Sequence, residues 1–402
     1  VTGLTADRSE LPSEGLHPVK RLRIGVIYGG RSGEHEISIA SAAAVVSNLD
    51  RERYEPVPLY IERDGRWTIP DRPPTAASAA EVIARSREAQ RTLRTTREAC
   101  LVPHPGRGNL LAIDRSRDPD DEAEREVIAR LSLDVAFPVL HGPFGEDGTV
   151  QGLLELADLP YVGAGVLASS AGMDKGVMKA LFAARGLPIV KYRVFRSHEW
   201  ADDREGVTCA IGRELGYPLF VKPVNLGSSV GISKVKAEQA LGAAIDLAFE
   251  FDRRVIVEAA VAGAREIECS VIGNDHPEAS VPGEVLPSRE FYDYEAKYLD
   301  ESEVRVPAAL SGEQTEEVRR LAVEAFLAID ACGMARVDFL VEGRTAGVFV
   351  NEINTIPGFT TISMFPKLWV ASGLTYPALL DRLVGLALER HAAKQNLRTS
   401  LR

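Results

Sequence analysis

Two carboxylates and an amide stand near the C-terminal end of this 402-residue chain with the spacing of a divalent-cation site. The segment Ala335-Arg-Val-Asp-Phe-Leu-Val341 reads as a strand, and Val350-Asn-Glu-Ile-Asn-Thr-Ile-Pro-Gly358 as the next. Side chains alternate along a strand, so residues two apart share a face. Glu352 and Asn354 then lie on one face opposite Asp338, while Val337, Phe339 and Ile353 turn to a core. Oxygen ligands rich in carboxylate suit Mg2+, which completes its shell with water or phosphate oxygens. Arg336 lies close enough to balance the charge. Taken alone, the same pattern also fits a solvated acidic hairpin.

A phosphate partner is suggested further upstream. Pro218-Leu-Phe-Val-Lys-Pro-Val-Asn-Leu-Gly-Ser-Ser-Val-Gly-Ile-Ser233 joins a strand lysine, Lys222, to a Gly-Ser loop. Small residues such as Ser228 and Ser229 let backbone N–H groups approach phosphate oxygens, and Lys222 supplies a point charge. The chain contains no Gly-Lys dipeptide, so this is not a Walker A loop. An ordinary turn would have the same composition. Lys175, in Met173-Asp-Lys175 at a helix start, is a second candidate cation, although isolated lysines are usually surface residues. The strand Arg254–Val261 ends in Glu258 and small residues. Its end can offer backbone groups to adenine, with Glu266 in reach of a ribose hydroxyl; a connector with solvated glutamates is the plainer alternative. Gly29-Gly-Arg-Ser-Gly-Glu-His-Glu lacks GxGxxG spacing, which disfavours a dinucleotide site. Glu34, at a helix start, suits an ammonium group better than an anion.

Elements that position these groups follow from the periodicity. Leu22–Tyr28 is a strand, Glu36–Leu49 a helix and Tyr54–Ile61 a second strand, the opening of a doubly wound parallel sheet. Residues 63 to 130, rich in Arg, Pro, Asp and Glu, read as a surface insertion with a helix near 77–96. A buried strand at 133–140 leads into His141-Gly-Pro-Phe-Gly-Glu-Asp-Gly148 and a helix from Gln151. Helices are predicted over 173–185, within 236–251, and over 312–331 and 376–394, with strands at 218–224, 255–258 and 266–272. The class is α/β, with mixed sheets later in the chain.

Bulk properties narrow the function. Apolar residues make up 45% and charged residues 26%, the balance of a soluble globular protein. A net charge of −11 argues against nucleic acid and anionic membrane surfaces as partners. No apolar run approaches the roughly 20 residues of a membrane span. The N-terminal stretch shows no signal-peptide core. Cys100, Cys209, Cys269 and Cys332 form no CxxC pair and read as reduced, mostly buried thiols of a cytoplasmic protein.

The ordered motifs GGRSGEHEIS, HGPFGEDGTVQGLLE, MDK, VKPVNLGSSVGI, EFYDYEAKYL, ARVDF and NEINTIPGFTTISMFP resemble the D-alanine–D-alanine ligases of the ATP-grasp superfamily. The likeness runs from residue 22 to about residue 390, and the 63–130 insertion matches the longer members. It implies a Rossmann-like N-terminal domain followed by a two-part ATP-grasp fold, α/β overall and α+β in the C-terminal part. The expected division is a tail over 1–20, an N-terminal domain over 21–170, a lid over 171–258, a C-terminal domain over 259–394 and a tail over 395–402. The resemblance further implies ATP and two Mg2+, with Mn2+ as a substitute and K+ as an activator, D-alanine as substrate, and a homodimer.

Roles also follow from the resemblance, residue by residue. Lys175, Lys222 and Lys297 match phosphate-contacting lysines. Ser228 and Ser229 belong to the Gly-Ser-Ser loop over the nucleotide, and Glu258, Val261 and Glu266 to the strand end beside it. Asp338, Glu352 and Asn354 match the metal ligands. Arg336 and the Gly358 N–H match the groups that stabilise acyl phosphate and oxyanion. Glu34, supported by His141, corresponds to the residue holding the first D-alanine ammonium, and Ser363 to the one binding the second carboxylate. Met364 stands where many relatives carry Leu, a volume-conserving change. The stretch 291–298 resembles a mobile loop that closes over the site, and Tyr298 its link to Ser228 and Glu34. An intact YEAKY run favours the dipeptide over D-alanyl-D-lactate or D-alanyl-D-serine. A non-catalytic nucleotide-binding protein on the same scaffold, and a Rossmann dehydrogenase, are the readings it displaces.

Overall fold

The computed structural model describes residues 20–75, 81–82, 97–106, 108–114, 127–227, 230–286, 303–343, 345 and 347–398. Three sheets carry the architecture. The first is seven-stranded: β1 (Leu22–Gly29), β2 (Tyr54–Ile61), β3 (Trp67–Thr68), β4 (Arg97–Leu101), β5 (Leu110–Asp114), β6 (Val127–Leu131) and β7 (Val135–Pro138), in the order β6-β5-β4-β3-β2-β1-β7. β1 lies parallel to both β2 and β7 and is buried on both faces, which explains its nearly unbroken apolar run. Helix α1 (His35–Asn48) makes the crossover from β1 to β2. Gly29 turns the chain out of β1 at φ +91°, where a Cβ would lie 2.2 Å from the Ile61 carbonyl oxygen. Only glycine fits there.

The insertion differs from the surface excursion expected. Its described residues add β3 to β6 as an antiparallel extension of the sheet, with Leu101, Leu110 and Ala112 buried. Most of the helix expected near 77–96 lies outside the described residues; Glu81 and Val82 are helical.

After β7 come α2 (Thr149–Leu156), α3 (Val166–Met173) and α4 (Lys175–Ala184). The helix expected over 173–185 is present as α4, starting two residues later because Met173 closes α3. Asp174 leaves the helical region at φ −87°, ψ 100°, and its carboxylate caps the Val177 N–H at 2.9 Å, a typical N-cap. Capping starts a new helix with Lys175 as its first residue.

The second sheet comprises β8 (Tyr192–Arg196), β9 (Leu219–Pro223), β10 (Ser233–Val235) and β11 (Arg254–Ala259), antiparallel in the order β10-β9-β11-β8. The third holds β12 (Arg265–Gly273), β13 (Glu278–Ala279), β14 (Gly283–Leu286), β15 (Glu303–Arg305), β16 (Gly333–Val341) and β17 (Val348–Asn354). Its order is β15-β14-β12-β16-β17, with β13 beside β12. Helix α5 (Gly312–Ala328) buries Val318, Leu321, Ala322, Ala325 and Phe326 in one core with Val337, Phe339 and Ile353. That core occupies one face of β16 and leaves the other for polar groups.

Of the two C-terminal helices, α6 (Met364–Ala371) lies against β12 of the third sheet and α7 (Tyr376–Gln395) packs back on β7 and α1. Phe359 meets Phe137 edge-on at 5.6 Å and Phe365 at 5.3 Å, so segments from the two ends of the chain share one core. Among the described residues no helix is long and apolar enough to cross a membrane. All four cysteines are free; Cys100 and Cys209 are exposed, Cys269 is buried and Cys332 lies between. The expectation of mostly buried thiols thus fails at two positions, on an edge-extending strand and on a surface helix.

Candidate active site

The polar face of β16 is built by alternation: Arg336, Asp338 and Leu340 are half-buried, whereas Val337, Phe339 and Val341 are buried. β17 cannot follow the same rule without a break. Val348 and Val350 have the same parity as Glu352 and Asn354, yet the valines are buried and the polar pair is not. A register shift between Asp338 and Phe339 resolves the conflict: Asp338 pairs with Glu352, and Phe339 with Val350. Asn351 is the extra residue of this β-bulge, which reverses the phase of the strand. Glu352 and Asn354 thereby join Asp338 on the site face.

Arg336 binds Asp338 with both ends of its fork, Nε to Oδ1 at 2.7 Å and Nη2 to Oδ2 at 2.8 Å. Its Nε is also 3.0 Å from Glu268 on β12, directly beside Asp338 in the sheet register. Burial works against the Arg336 charge, but Asp338 and Glu268 hold its pKa well above the ordinary value. The Asn354 amide donates to Asp338 Oδ2 at 3.0 Å. Turning that amide over would present its oxygen toward the same point. Two carboxylates and an amide oxygen are a fitting donor set for a hard divalent cation.

Lysines close the site from the other side. Lys175 Nζ donates to the Leu226 carbonyl at 2.6 Å and lies 3.8 Å from Glu352. The Lys175 backbone N–H donates to the Val224 carbonyl at 3.1 Å, tying α4 to the loop after β9. Arg254 on β11 pairs with Asp174 at the same helix start. Lys222 Nζ is 2.5 Å from Glu258, a residue only 2% exposed. Burial alone would lift the Glu258 pKa, yet Lys179 and Lys222 hold it down at about 2. The Glu258 side chain is thus engaged by lysines, and the Ala259 and Ala260 N–H groups donate to Lys191 and Pro218. Val261 is half-buried beyond them, and Glu266 lies on the face of β12 shared with Glu268.

The third wall comes from loops of the first sheet. Glu34 is the N-cap residue of α1, but its side chain makes no capping hydrogen bond. Its Oε2 reaches between two glycines: a Cβ on Gly142 would lie 3.0 Å from it, and one on Gly227 3.4 Å. His141 is buried, with Nε2 3.1 Å from Ser41 Oγ and Nδ1 3.1 Å from the Ile356 carbonyl. Burial pushes its pKa down, so it is neutral at physiological pH. Ser41 Oγ in turn accepts the Phe359 N–H at 3.3 Å, and Ser32 Oγ donates to the His141 carbonyl at 2.6 Å. These bonds stitch the loop around Glu34, the 141–148 loop and the 356–363 loop together. Glu146 lies among them and accepts the Gly142 N–H at 2.8 Å, with the Ile356 N–H also directed at it. Burial, aided by the Glu34 charge, raises its pKa to about 8. Ser363 pairs with Thr360 at 2.7 Å, and a Cβ on Gly358 would lie 2.8 Å from Ser363 Oγ. Met364 is buried at the start of α6 and packs with Val285 and Leu368.

The structure therefore brings Asp338, Glu352, Asn354, Arg336, Lys175, Lys222 and Glu258 to one junction of the second and third sheets. Glu34, His141, Gly358 and Ser363 form the adjoining wall. Ser228, Ser229, Lys297 and Tyr298 lie outside the described residues. Glu268, Lys179, Ser41 and Glu146 were not anticipated. Glu146 stands in a motif that the sequence displays, and its neighbour His141 was the available signal. Among the described residues no cluster of three or more His, Cys, Asp or Glu side chains is arranged for a metal; the set above contains two carboxylates and an amide.

The family model described as D-ala D-ala ligase N-terminus matches residues 23–164, and the one described as D-ala D-ala ligase C-terminus matches 181–385. A relative from Solibacter usitatus named D-alanine–D-alanine ligase is 49% identical, over 93% of this chain and 98% of its own. One of that name from Geobacillus kaustophilus is 46% identical, over 94% and 97%. Among solved structures, the D-alanine–D-alanine ligase from Coxiella burnetii is 38% identical with a TM-score of 0.76, covering 93% of this chain and 97% of its own. The VanG D-Ala:D-Ser ligase from Enterococcus faecalis is 34% identical with a TM-score of 0.74, covering 92% and 100%. This chain belongs to the D-alanine–D-alanine ligase family.

Proposed function

We infer that the protein is an ADP-forming ligase that joins two D-alanine molecules into D-alanyl-D-alanine for peptidoglycan precursors. The observation that carries this reading is the meeting of Arg336 and the Asp338–Glu352–Asn354 set with Lys175 and Lys222, within an α/β fold of this family. A carboxylate oxygen of the first D-alanine attacks the γ-phosphorus of ATP, giving D-alanyl phosphate and ADP. The amine of the second D-alanine attacks the acyl carbon, phosphate leaves with the carbon–oxygen electron pair, and the amine gives up a proton.

The chain's own residues fit each step. Lys175 and Lys222 would meet phosphate oxygens, with Ser228, Ser229 and Lys297 completing the phosphate contacts. The strand end from Glu258 to Val261, with Glu266, would take adenine and ribose. Glu34, in its glycine-lined gap, would hold the first ammonium, with neutral His141 fixing the loop. Arg336 and the Gly358 N–H would face the oxygens of the acyl phosphate and tetrahedral species. Ser363 would bind the second carboxylate beside Met364, and Tyr298 would close the loop through Ser228. Asp338, Glu352 and Asn354 would hold the divalent ions, Mg2+ by preference and Mn2+ as a substitute. Those ions would neutralise charge on the transferring phosphoryl group. The domain boundaries at residues 170 and 258, a homodimer, K+ activation and a cytoplasmic location complete the proposal on the family's pattern.

ATP turnover with D-alanine, L-alanine, D-lactate and D-serine, followed by mass identification of products, tests it. D-alanyl-D-alanine as the main product supports the reading. A mixed product with D-serine from equal substrate would reassign the enzyme to the activity named for the E. faecalis neighbour.

A further inference from the structure

Lys175 and Lys179 stand one turn apart on α4, so both emerge on the same face. Lys179 is the more deeply buried, at 1% exposure. Its Nζ is 2.8 Å from Glu258 on β11 and donates to the Asn351 carbonyl on β17 at 3.1 Å. Asn351 is the bulged residue that sets which face Glu352 and Asn354 occupy. A bulge leaves its extra residue outside the strand ladder, so a buried donor on that carbonyl fixes the distortion. The second oxygen of Glu258 holds Lys222. One buried ammonium thus joins the second sheet to the hairpin of the third.

We propose that Lys179 is a positioning residue for the nucleotide, holding Glu258 as a doubly paired anion and pinning the β17 bulge, so that Lys222 can turn to a phosphate oxygen. The proposal rests on the reading of Lys222 as a phosphate-contacting lysine. When Lys222 moves, Glu258 keeps the Lys179 charge at its other oxygen. Without that charge the move would leave a carboxylate unpaired in a buried position, which opposes it strongly. Lys222 would then stay on Glu258, and phosphate would bind without it. The same ammonium keeps the Asn351 carbonyl in place, so Glu352 and Asn354 stay on the site face as the nucleotide enters. Lys179 itself touches neither phosphate nor D-alanine.

Three substitutions separate these duties. Lys179→Gln keeps a donor for the Asn351 carbonyl and removes the charge facing Glu258; Lys179→Met removes both; Lys179→Arg keeps both. ADP is titrated with Mg2+ into the full chain without D-alanine, and KM is measured for ATP and for D-alanine. For Lys179→Gln, ADP affinity is expected to fall about tenfold and ATP KM to rise in parallel, with D-alanine KM within about twofold of wild type. Lys179→Met should weaken ADP further and demand more Mg2+ for the same occupancy. Lys179→Arg should return ADP affinity to within about threefold of wild type. A Lys179→Gln protein that binds ADP like wild type and only melts earlier would overturn the proposal, as would equal losses for ATP and D-alanine. If Lys179→Met does not fold, the ADP affinity of Lys179→Gln decides between these outcomes. Failure of the wild-type chain to bind ADP would instead strike the nucleotide reading itself.

Discussion

Arg336 and Asp338 are two residues apart on one strand, and the guanidinium holds the carboxylate through two hydrogen bonds of 2.7 and 2.8 Å. The same carboxylate accepts from Asn354. Asp338 therefore serves both the arginine that would face substrate oxygens and the hairpin that would hold the metal. Arg336→Lys keeps the charge but cannot make the fork-like contact. Losing one oxyanion-stabilising donor typically costs about 2.7 to 4 kcal/mol, or roughly 10² to 10³ in rate. Steady-state kinetics should show kcat of Arg336→Lys down by that order with ATP KM little changed. A change confined to ATP KM would assign Arg336 to nucleotide positioning instead.

Removing the shared carboxylate should uncouple nucleotide from metal. Asp338→Asn preserves size and leaves Arg336 paired with Glu268 alone. We expect loss of turnover with a near-native thermal midpoint, and ADP binding that no longer strengthens on adding Mg2+. Calorimetric titration with and without Mg2+ reads this directly. A Mg2+ response equal to that of wild type would remove Asp338 from the ligand set.

Glu146 gives a pH signature. Its pKa, raised from 4.5 to about 8 by burial and by the Glu34 charge, means that the folded chain holds its proton more tightly than the unfolded chain. Its contribution to stability is complete below about pH 4.5 and is lost as pH rises through about 8. The thermal midpoint of wild type should fall between pH 5.5 and pH 8.5, and Glu146→Gln, which cannot ionise, should show a smaller fall. Parallel curves for the two proteins would rule out Glu146 as the titrating group.

The polar hairpin was legible because strand alternation puts Asp338 opposite Glu352 and Asn354 whatever surrounds them. The bulge at Asn351 was not, since an extra residue leaves no mark in composition. Val348 and Val350 share the parity of Glu352 and Asn354, and only the burial of the valines in the fold shows that a bulge separates the two pairs. Glu268 comes to Arg336 through strand pairing across more than sixty intervening residues, beyond any local pattern. Lys179 carries no local signal in the sequence, because its burial depends on Glu258 and Asn351 from two other elements. In the insertion, short strands such as Leu110–Asp114 alternate over too few residues to stand out among Arg and Asp.

The wall around Gly358 sets a steric test. A Cβ there would lie 2.8 Å from Ser363 Oγ, so Gly358→Ala must displace the hydroxyl from its pairing with Thr360. Displacement by even an ångström at a positioning contact can cost about a hundredfold in rate. KM for the second D-alanine should rise with ATP KM unchanged. Equal D-alanine kinetics in the variant would place Ser363 outside the acceptor site.

Transfer of a carboxylate oxygen tests the central claim of ligation through D-alanyl phosphate most directly. D-alanine labelled with oxygen-18 in its carboxyl group is turned over with ATP, and the inorganic phosphate and dipeptide are analysed by mass spectrometry. Attack of that oxygen on the γ-phosphorus, followed by loss of phosphate, must carry one labelled oxygen into phosphate for every D-alanyl-D-alanine formed, with ADP as the other product. Unlabelled phosphate, or AMP in place of ADP, would contradict the account.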